Sequence, residues 1–309
     1  MSRYLVTGGA GFIGSHLVHT LLDRGADVRV LDNFSTGKRE NLSGLASRLE
    51  VLEGDVRDRA AVEKAVRDVE VVFHEAAFVS VPESMEKPQD CFDVNVTAMI
   101  NLFDAAREAG VKLVVIASSA AVYGESDALP LRETTPTQSL SPYAASKRTG
   151  EIYAQLYTQA FGLDVVALRY FNVFGPRQRP DSMYAAAVPI FVRRLLDGQP
   201  VTIFGDGGQT RDLINVRDVV RANLIASEHP NAPGQTFNVC TGRETRILDL
   251  LEVLFDLFPD AQEPVFVEPR AGDIYRSVGS SESIAQTLGF QPEVTLEEGL
   301  KETVAWMQA

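Results

Sequence analysis

The stretch that most restricts what this chain can fold into is "VTGGAGFIGSH", residues 6–16. Gly8, Gly11 and Gly14 stand between an apolar run ending in Leu5-Val6 and a periodic segment over 14–24. A strand, a glycine turn and a helix in that order let the backbone turn tightly and approach a pyrophosphate, which then rests on the helix N-terminus. A second apolar run ends in Asp32, 18 residues beyond Gly14. A carboxylate at that place accepts both ribose hydroxyls of an adenosine and repels a 2′-phosphate, so the pattern points to NAD rather than NADP.

Further apolar runs at 49–52, 71–73, 114–116 and 165–168 alternate with periodic segments at 59–67, 91–109 and 143–161. This alternation predicts an α/β fold with a doubly wound parallel sheet of the Rossmann type. Beyond about residue 175, Gly and Pro become frequent ("FGPRQRP", "FGDGGQ", "HPNAPGQ") and the alternation is lost. A smaller α/β substrate-binding lobe is expected there, over the carboxyl ends of the strands where such sheets bind ligands. The expected partition is a nucleotide-binding domain over 1–175, with 200–222 also in the sheet core, and a lobe built mainly from 176–199 and 223–309.

The 309 residues carry a net charge of -13, which argues against a nucleic-acid surface or a basic membrane patch. A chain so acidic must concentrate positive groups locally to hold an anionic ligand. Its two cysteines, Cys91 and Cys240, match neither a disulfide framework nor a zinc motif. His16 and His19 lie three apart on the first helix without an evident third ligand, so no metal is expected. "MSRYLVTGGAG" runs straight into a strand without a signal peptide, and no stretch approaches the ~20 apolar residues of a membrane span. A cytoplasmic protein is expected.

"SSAAVYG", residues 118–124, follows the apolar run 113–117, which places Ser118 and Ser119 at a strand end. "YAASK", residues 143–147, puts Tyr143 and Lys147 on one face of a helix opened by Ser141-Pro142. A phenol with pKa about 10 is a poor base at neutral pH. A nearby ammonium and a nicotinamide cation would both favour its ionised form. Asp55 ends the third strand, placed to meet an adenine amino group, and the small Ala76 and Ala77 of "FHEAA" would let backbone lie near the cofactor.

The glycine spacing, Asp55-Val56, "HEAA", the strand-end serine and Tyr143-x-x-x-Lys147 together resemble the extended short-chain dehydrogenase/reductase family over essentially the whole chain. More narrowly, they are similar to its nucleotide-sugar epimerase and dehydratase branch. The resemblance implies NAD contacts from Phe12 and Ile13 beside the glycines, from Asn33, Ser35, Thr36 and Gly37 after Asp32, and from Val56, Asn95 and Ala117. It places Tyr170 and Val173 of "LRYFNVFGPRQ" near the nicotinamide. It implies Tyr143 as general base, Lys147 also on the nicotinamide ribose, and Ser119 on the reacting hydroxyl. For the substrate it implies Ser80, Asn172 on the diphosphate side, Ala187 and Val188 of "AAAVP", Phe204 near a uracil, Arg211 and Arg270 on the diphosphate, and Asp273 on the ribose. Charge logic agrees, since two arginines from separate loops could clamp a diphosphate.

The two alanines after Ser119 carry further meaning. In the family's 4,6-dehydratases the corresponding motif resembles Thr-Asp-Glu-Val-Tyr, with the two acids working on the sugar's C5 and C6, and decarboxylases resemble Thr-Ser-Glu. Aligned on Tyr123, those positions are Ala120 and Ala121. A methyl group exchanges no proton, which leaves hydride transfer alone, the pattern of a 4-epimerase. The implied reaction inverts C4 of a UDP-hexose through a transient 4-keto sugar, and NAD is regenerated each cycle and stays bound. "RQRPDSMYAAAVP" resembles the UDP-N-acetylglucosamine 4-epimerase subgroup. Ser277, four after Asp273, stands where glucose-only members carry a bulky Tyr, and would leave room for an N-acetyl group. A UDP-glucuronate 4-epimerase, another nucleotide-sugar oxidoreductase, and a non-enzymatic NAD-sensing protein are the alternatives. The last would be marked by a broken Ser/Tyr/Lys set. Segments 91–109 and 143–161 carry more apolar positions than one face needs, and in the family they form a four-helix bundle between subunits, so a homodimer is expected.

Overall fold

The computed structural model describes residues 3–45, 48–180, 187–269 and 274–309. Six strands form where the apolar runs stand: β1 (Arg3–Thr7), β2 (Asp27–Asp32), β3 (Leu49–Glu53), β4 (Val71–His74), β5 (Leu113–Ser119) and β6 (Asp164–Tyr170). With a seventh, Thr236–Val239, they make one parallel sheet in the order Thr236–Val239, β6, β5, β4, β1, β2, β3. The order reverses between β4 and β1, and that switch point opens a crevice at the carboxyl ends of the strands.

Neighbouring residues of one strand feed opposite cores, which is why these strands read as nearly continuous apolar runs. Val6, Phe73, Val115 and Val166 pack with Leu17, Val18 and Leu21 of helix Phe12–Asp23 and with Val219 and Val220 of helix Val216–Glu228. Leu5, Val72, Val114 and Val165 pack with Leu102 and Phe103 of helix Ala98–Glu108 and with Ala154 and Tyr157 of the 142–161 segment. A third core belongs to the lobe. It gathers Phe191, Val192, Ile203, Leu250, Leu254 and Leu300 from helices Ala187–Leu196, Ile247–Leu257 and Leu296–Gln308 and the strand Thr202–Phe204.

The partition departs from the expected one at two places. Thr202–Phe204 pairs with Val265–Val267 in the lobe instead of joining the main sheet, whereas the helix that follows at 216–228 does pack on that sheet. Thr236–Val239, expected in the lobe, is the outer strand beside β6. Its run is only four residues long and is interrupted by Asn238, which is wholly buried because its side chain is hydrogen-bonded to Tyr123 and to the Leu131 carbonyl. Among the described residues, no helix is long and apolar enough to cross a membrane.

Candidate active site

The glycine turn follows β1 and so lies at the switch point. Gly8 has φ +67°, and a Cβ there would meet the backbone of Ala76 at 2.7 Å, so only glycine lets the turn lie against the end of β4. A Cβ on Gly14 would fall 2.2 Å from the Gly8 carbonyl. Helix Phe12–Asp23 begins with Gly11 at its cap, without a side-chain cap and without an acidic residue in its first turn. The N–H groups around Phe12, Ile13 and Gly14 therefore suit a pyrophosphate, and the cradle fits a dinucleotide. Asp32 follows at the end of β2. One carboxylate oxygen accepts from Ala10 N at 2.9 Å and the other from Phe34 N at 2.8 Å, so the backbone fixes it while lone pairs remain for ribose hydroxyls. Asn33 joins this loop to the third strand by donating to Asp55 at 2.8 Å, while its Oδ1 accepts from the N–H and hydroxyl of Ser35. Thr36 and Gly37 complete the loop, and the Thr36 carbonyl accepts from Arg179 at 3.1 Å. The Arg57 guanidinium holds the Asp55 carboxyl well below the usual carboxylate range. Val56 is buried beside it.

Ser119, Tyr143 and Lys147 converge beside this cradle. Ser119 is the last residue of β5, and its Oγ accepts from Ala121 N at 3.2 Å, capping the short turn Ala120–Tyr123. Tyr143 and Lys147 lie on helix Pro142–Leu156, whose N-terminus Ser141 caps by accepting from Ala144 N at 3.1 Å. Lys147 Nζ donates to the Ala117 carbonyl at 2.7 Å and lies 5.8 Å from the centre of the Tyr143 ring. Burial brings Lys147 down to about 8, opposed by the attraction of Glu75. The expected lowering of Tyr143 is not met by the protein alone. Burial raises the phenol above its ordinary value, the hydrogen bond with Ser119 acts in the other direction, and Cys91 and Glu75 add to the rise. Desolvation of an incipient phenolate outweighs the single hydroxyl that stabilises it.

Asn95 is not aimed at an open crevice. Its amide clasps the Phe78 backbone at 2.8 and 3.0 Å and donates to Ser146 at 2.9 Å, which holds the segment after Ala76 and Ala77 against the helix that carries Tyr143 and Lys147. Ser80 accepts from Glu83 N at 3.1 Å as the cap of helix Val81–Glu86, and Ser84 of that helix accepts from Tyr143 N at 3.2 Å.

Two groups escaped the sequence reading. Glu75, the middle residue of "FHEAA", accepts from the Tyr170 hydroxyl at 2.8 Å, and Tyr170 is held in turn by Asn223. Burial pushes Glu75 up to about 7, against the pull of Tyr170 and Lys147. Its own charge in an apolar strand end was the available signal. Behind Ser119, Glu151 accepts from Ser118 at 2.6 Å and from both sides of the Arg169 guanidinium at 2.7 and 2.8 Å. Both are buried, and Arg169 also donates to Tyr123 at 2.8 Å.

Asn172, expected at the substrate, and Val173, expected near the nicotinamide, lie on a short strand, Asn172–Phe174, paired in parallel with Leu213–Asn215. Arg211 donates to the Thr210 and Ile274 carbonyls at 2.8 and 2.7 Å. Asp212, fully buried, ties these segments together. It accepts from Thr241 N and Gly279 N at 2.8 and 3.2 Å through its carboxylate, and from Asn172 N at 3.0 Å through its carbonyl. Ala187 and Val188 open helix Ala187–Leu196, where Val188 points into the lobe core, and Phe204 ends its strand. Around Ser277, the Tyr275 hydroxyl lies 3.2 Å from Asp206 and Arg276 donates to Glu244 at 2.7 Å, both in exposed pairs. Ser277 is half-buried between them and the core residue Val278. Arg270 and Asp273 lie outside the described residues. Among the described residues no group of three metal-ligating side chains occurs. His74 faces Thr7 at 2.8 Å and is driven down to about 3 by burial and by Lys147.

The sequence profile of the NAD dependent epimerase/dehydratase family matches residues 4–240. A putative UDP-glucose 4-epimerase of Methanocaldococcus jannaschii is 42% identical over 306 residues, covering 98% of both chains. The solved UDP-N-acetylglucosamine 4-epimerase from Methanobrevibacter ruminantium, in complex with UDP-N-acetylmuramic acid, superposes with a TM-score of 0.95 at 39% identity, covering 99% of this chain and 98% of that one. The UDP-glucose 4-epimerase of Thermus thermophilus in complex with NAD superposes with a TM-score of 0.90 at 40% identity, covering 99% of each chain. Sequence and fold agree along the whole length: the chain belongs to the NAD-dependent epimerase/dehydratase family and is an NAD-using isomerase.

Proposed function

We propose that this enzyme inverts C4 of UDP-hexoses and accepts UDP-N-acetylglucosamine at least as well as UDP-glucose. The observation that carries the choice of sugar is the arrangement around Ser277. Tyr275 and Arg276, the two bulky residues next to it, are occupied with Asp206 and Glu244. Ser277, assigned beside the sugar from its spacing to Asp273, is the small residue of the three and would leave volume for an acetamido group. Bound NAD supplies reversible hydride exchange and a positive charge beside Tyr143. The chain's own residues do the rest. Tyr143 takes and returns the proton of the 4-hydroxyl, Ser119 hydrogen-bonds that oxygen, and Lys147, anchored on Ala117, holds the cofactor's ribose and favours the ionised phenol. Ala120 and Ala121 offer no acid or base for elimination. Arg211, with Arg270, Asn172 and Phe204, is assigned to the uridine diphosphate, and Asp273 to its ribose.

The decisive experiment is a panel of UDP-sugars with epimeric products separated, run on the wild type and on Ser277→Tyr. Wild type should turn over the N-acetylated and plain sugars, and the variant should lose the N-acetylated one selectively by ~10- to 100-fold, the usual cost of overpacking by a side chain. A wild type that ignores the N-acetyl sugar, or equal loss on both, refutes the assignment of Ser277. Turnover of UDP-glucuronate alone would favour the uronate reading.

The assembly we propose is a homodimer through the segments 88–108 and 142–161. Phe92, Ile152, Leu156 and Phe161 are exposed there by 51, 51, 41 and 45%, an apolar face of the kind that self-association covers.

A further inference from the structure

Outside the catalytic crevice, behind the loop that carries Asn33 to Gly37, lies a second cavity of about 460 Å3. Its walls include His19, Lys38, Glu40, Ser43, Arg177 and Trp306. We infer that this cavity binds a small hydroxyl-bearing organic phosphate, such as a sugar phosphate, independently of the sugar handled by the catalytic residues.

The first reason is Arg177. Its Nη1 is buried and has no hydrogen-bond partner, and its backbone is left-handed at φ 67°. A buried donor left unmade costs ~1–3 kcal/mol, more when charged, and native proteins rarely leave one without a purpose. The loop is nevertheless held in place on both sides of Arg177. The Pro176 carbonyl lies 2.9 Å from His16 Nε2, and the Gln178 side chain donates to the Val173 carbonyl at 2.9 Å. The loop thus holds Arg177 in place, and although Nη1 is closed off from the cavity, a phosphate oxygen would meet the guanidinium through its other nitrogens on the cavity side.

The second reason is the charge and hydrogen-bonding balance of the lining. Lys38 is exposed and makes no ion pair among the described residues, while its neighbour Arg39 is committed to Glu53 and stacks on Phe34 at 3.9 Å. With one carboxylate, Glu40, the lining carries a net positive charge in a protein whose overall charge is -13. His19 contributes an acceptor. Its Nε2 lies 2.9 Å from the Asn41 carbonyl, which can only accept, so the proton is on Nε2 and Nδ1 is left with a lone pair. Burial lowers its pKa and keeps the ring neutral. Nδ1 and the Glu40 carboxylate suit hydroxyl groups, and the Trp306 ring, 40% exposed, offers a flat apolar face to a carbon skeleton. The volume falls within the ~300–1,000 Å3 of small-molecule sites. Cations for phosphate, acceptors for hydroxyls and an aromatic wall occur together from separate segments of the chain.

The cavity shares its floor with the cofactor turn. Lys38 N and the Asn41 side chain both donate to the Ala10 carbonyl, at 3.0 and 2.8 Å, and Ala10 N donates to Asp32.

The test uses the NAD-loaded enzyme with its catalytic crevice filled by excess UDP, titrated calorimetrically with glucose 6-phosphate, glucose and inorganic phosphate. Glucose 6-phosphate should bind saturably, at least ~10-fold tighter than either fragment, and Arg177→Met and Lys38→Met should each weaken it by ~10-fold or more. Lys38 is on an exposed loop, so its variant remains informative if Arg177→Met fails to fold. Absence of saturable binding, or unchanged affinity in the Lys38 variant and in a folded Arg177 variant, overturns the site. Inorganic phosphate binding as tightly as the sugar phosphate overturns the role given to the hydroxyl acceptors.

Discussion

Tyr143 is pulled in two directions, upward by burial and by Cys91 and Glu75 and downward by Ser119. A group so placed is a weak base until another positive charge arrives, which suits an enzyme that should act only when the cofactor is seated. Tyr143→Phe should lower turnover by ~10²–10⁴-fold while the purified protein keeps its complement of NAD, measured by denaturing it and assaying the released nucleotide. Near-wild-type turnover would remove Tyr143 from the mechanism. Glu75 makes a separate prediction through linkage. Its carboxyl is raised to about 7 in the folded protein, against roughly 4.3 unfolded. Below the unfolded value both states are protonated and nothing is lost, and as pH rises through the window the folded state resists ionisation and loses stability. Glu75→Gln should therefore melt higher than wild type at pH 8 and equally at pH 4 by calorimetry. A difference that is the same at both pH values would show that burial does not hold the Glu75 proton.

At the scale of elements, the helix bearing Tyr143 and Lys147, Pro142–Leu156, is fixed to the sheet by the Glu151–Arg169 pair, which joins it to β6 and, through Ser118, to the end of β5. Both residues are almost wholly buried, at 3 and 2% exposure, and removing Glu151 leaves the Arg169 charge without a carboxylate partner. Glu151→Ala should cost ~3–5 kcal/mol in chemical denaturation, far above a surface ion pair. A loss below about 1 kcal/mol would mean that water entering the space left by the carboxylate solvates Arg169.

For the whole molecule, the exposed apolar face over Phe92, Ile152, Leu156 and Phe161 is continuous with the helix that bears Tyr143 and Lys147. If two copies cover it, the active-site helix is braced by the partner. Ile152→Glu combined with Leu156→Glu should convert a dimer into a monomer by light scattering after gel filtration, since two charges cannot be buried there without partners. A wild type that is monomeric at micromolar concentration refutes the interface.

Much of this protein was legible in order along the chain. The glycine turn, Asp32, the strand-end serine and the Tyr143–Lys147 spacing are local patterns, because one turn or one helical repeat is enough to place the groups relative to each other. Strands β1, β2, β4, β5 and β6 were equally readable, since helices cover both faces of the sheet and leave these strands largely apolar. What needed tertiary structure was every relation between distant segments. Thr236–Val239 is a sheet strand only because β6 pairs with it, and its Asn238 is tolerated only because Tyr123 and Leu131 complete its hydrogen bonds. Glu75 is pushed up to about 7 only because folding buries it, against the pull of Tyr170 and Lys147, and Arg177, His19 and Trp306 line one cavity only because folding brings three separate segments together. Spacing along the chain determines local geometry, whereas burial and charge are properties of whatever the rest of the chain brings alongside.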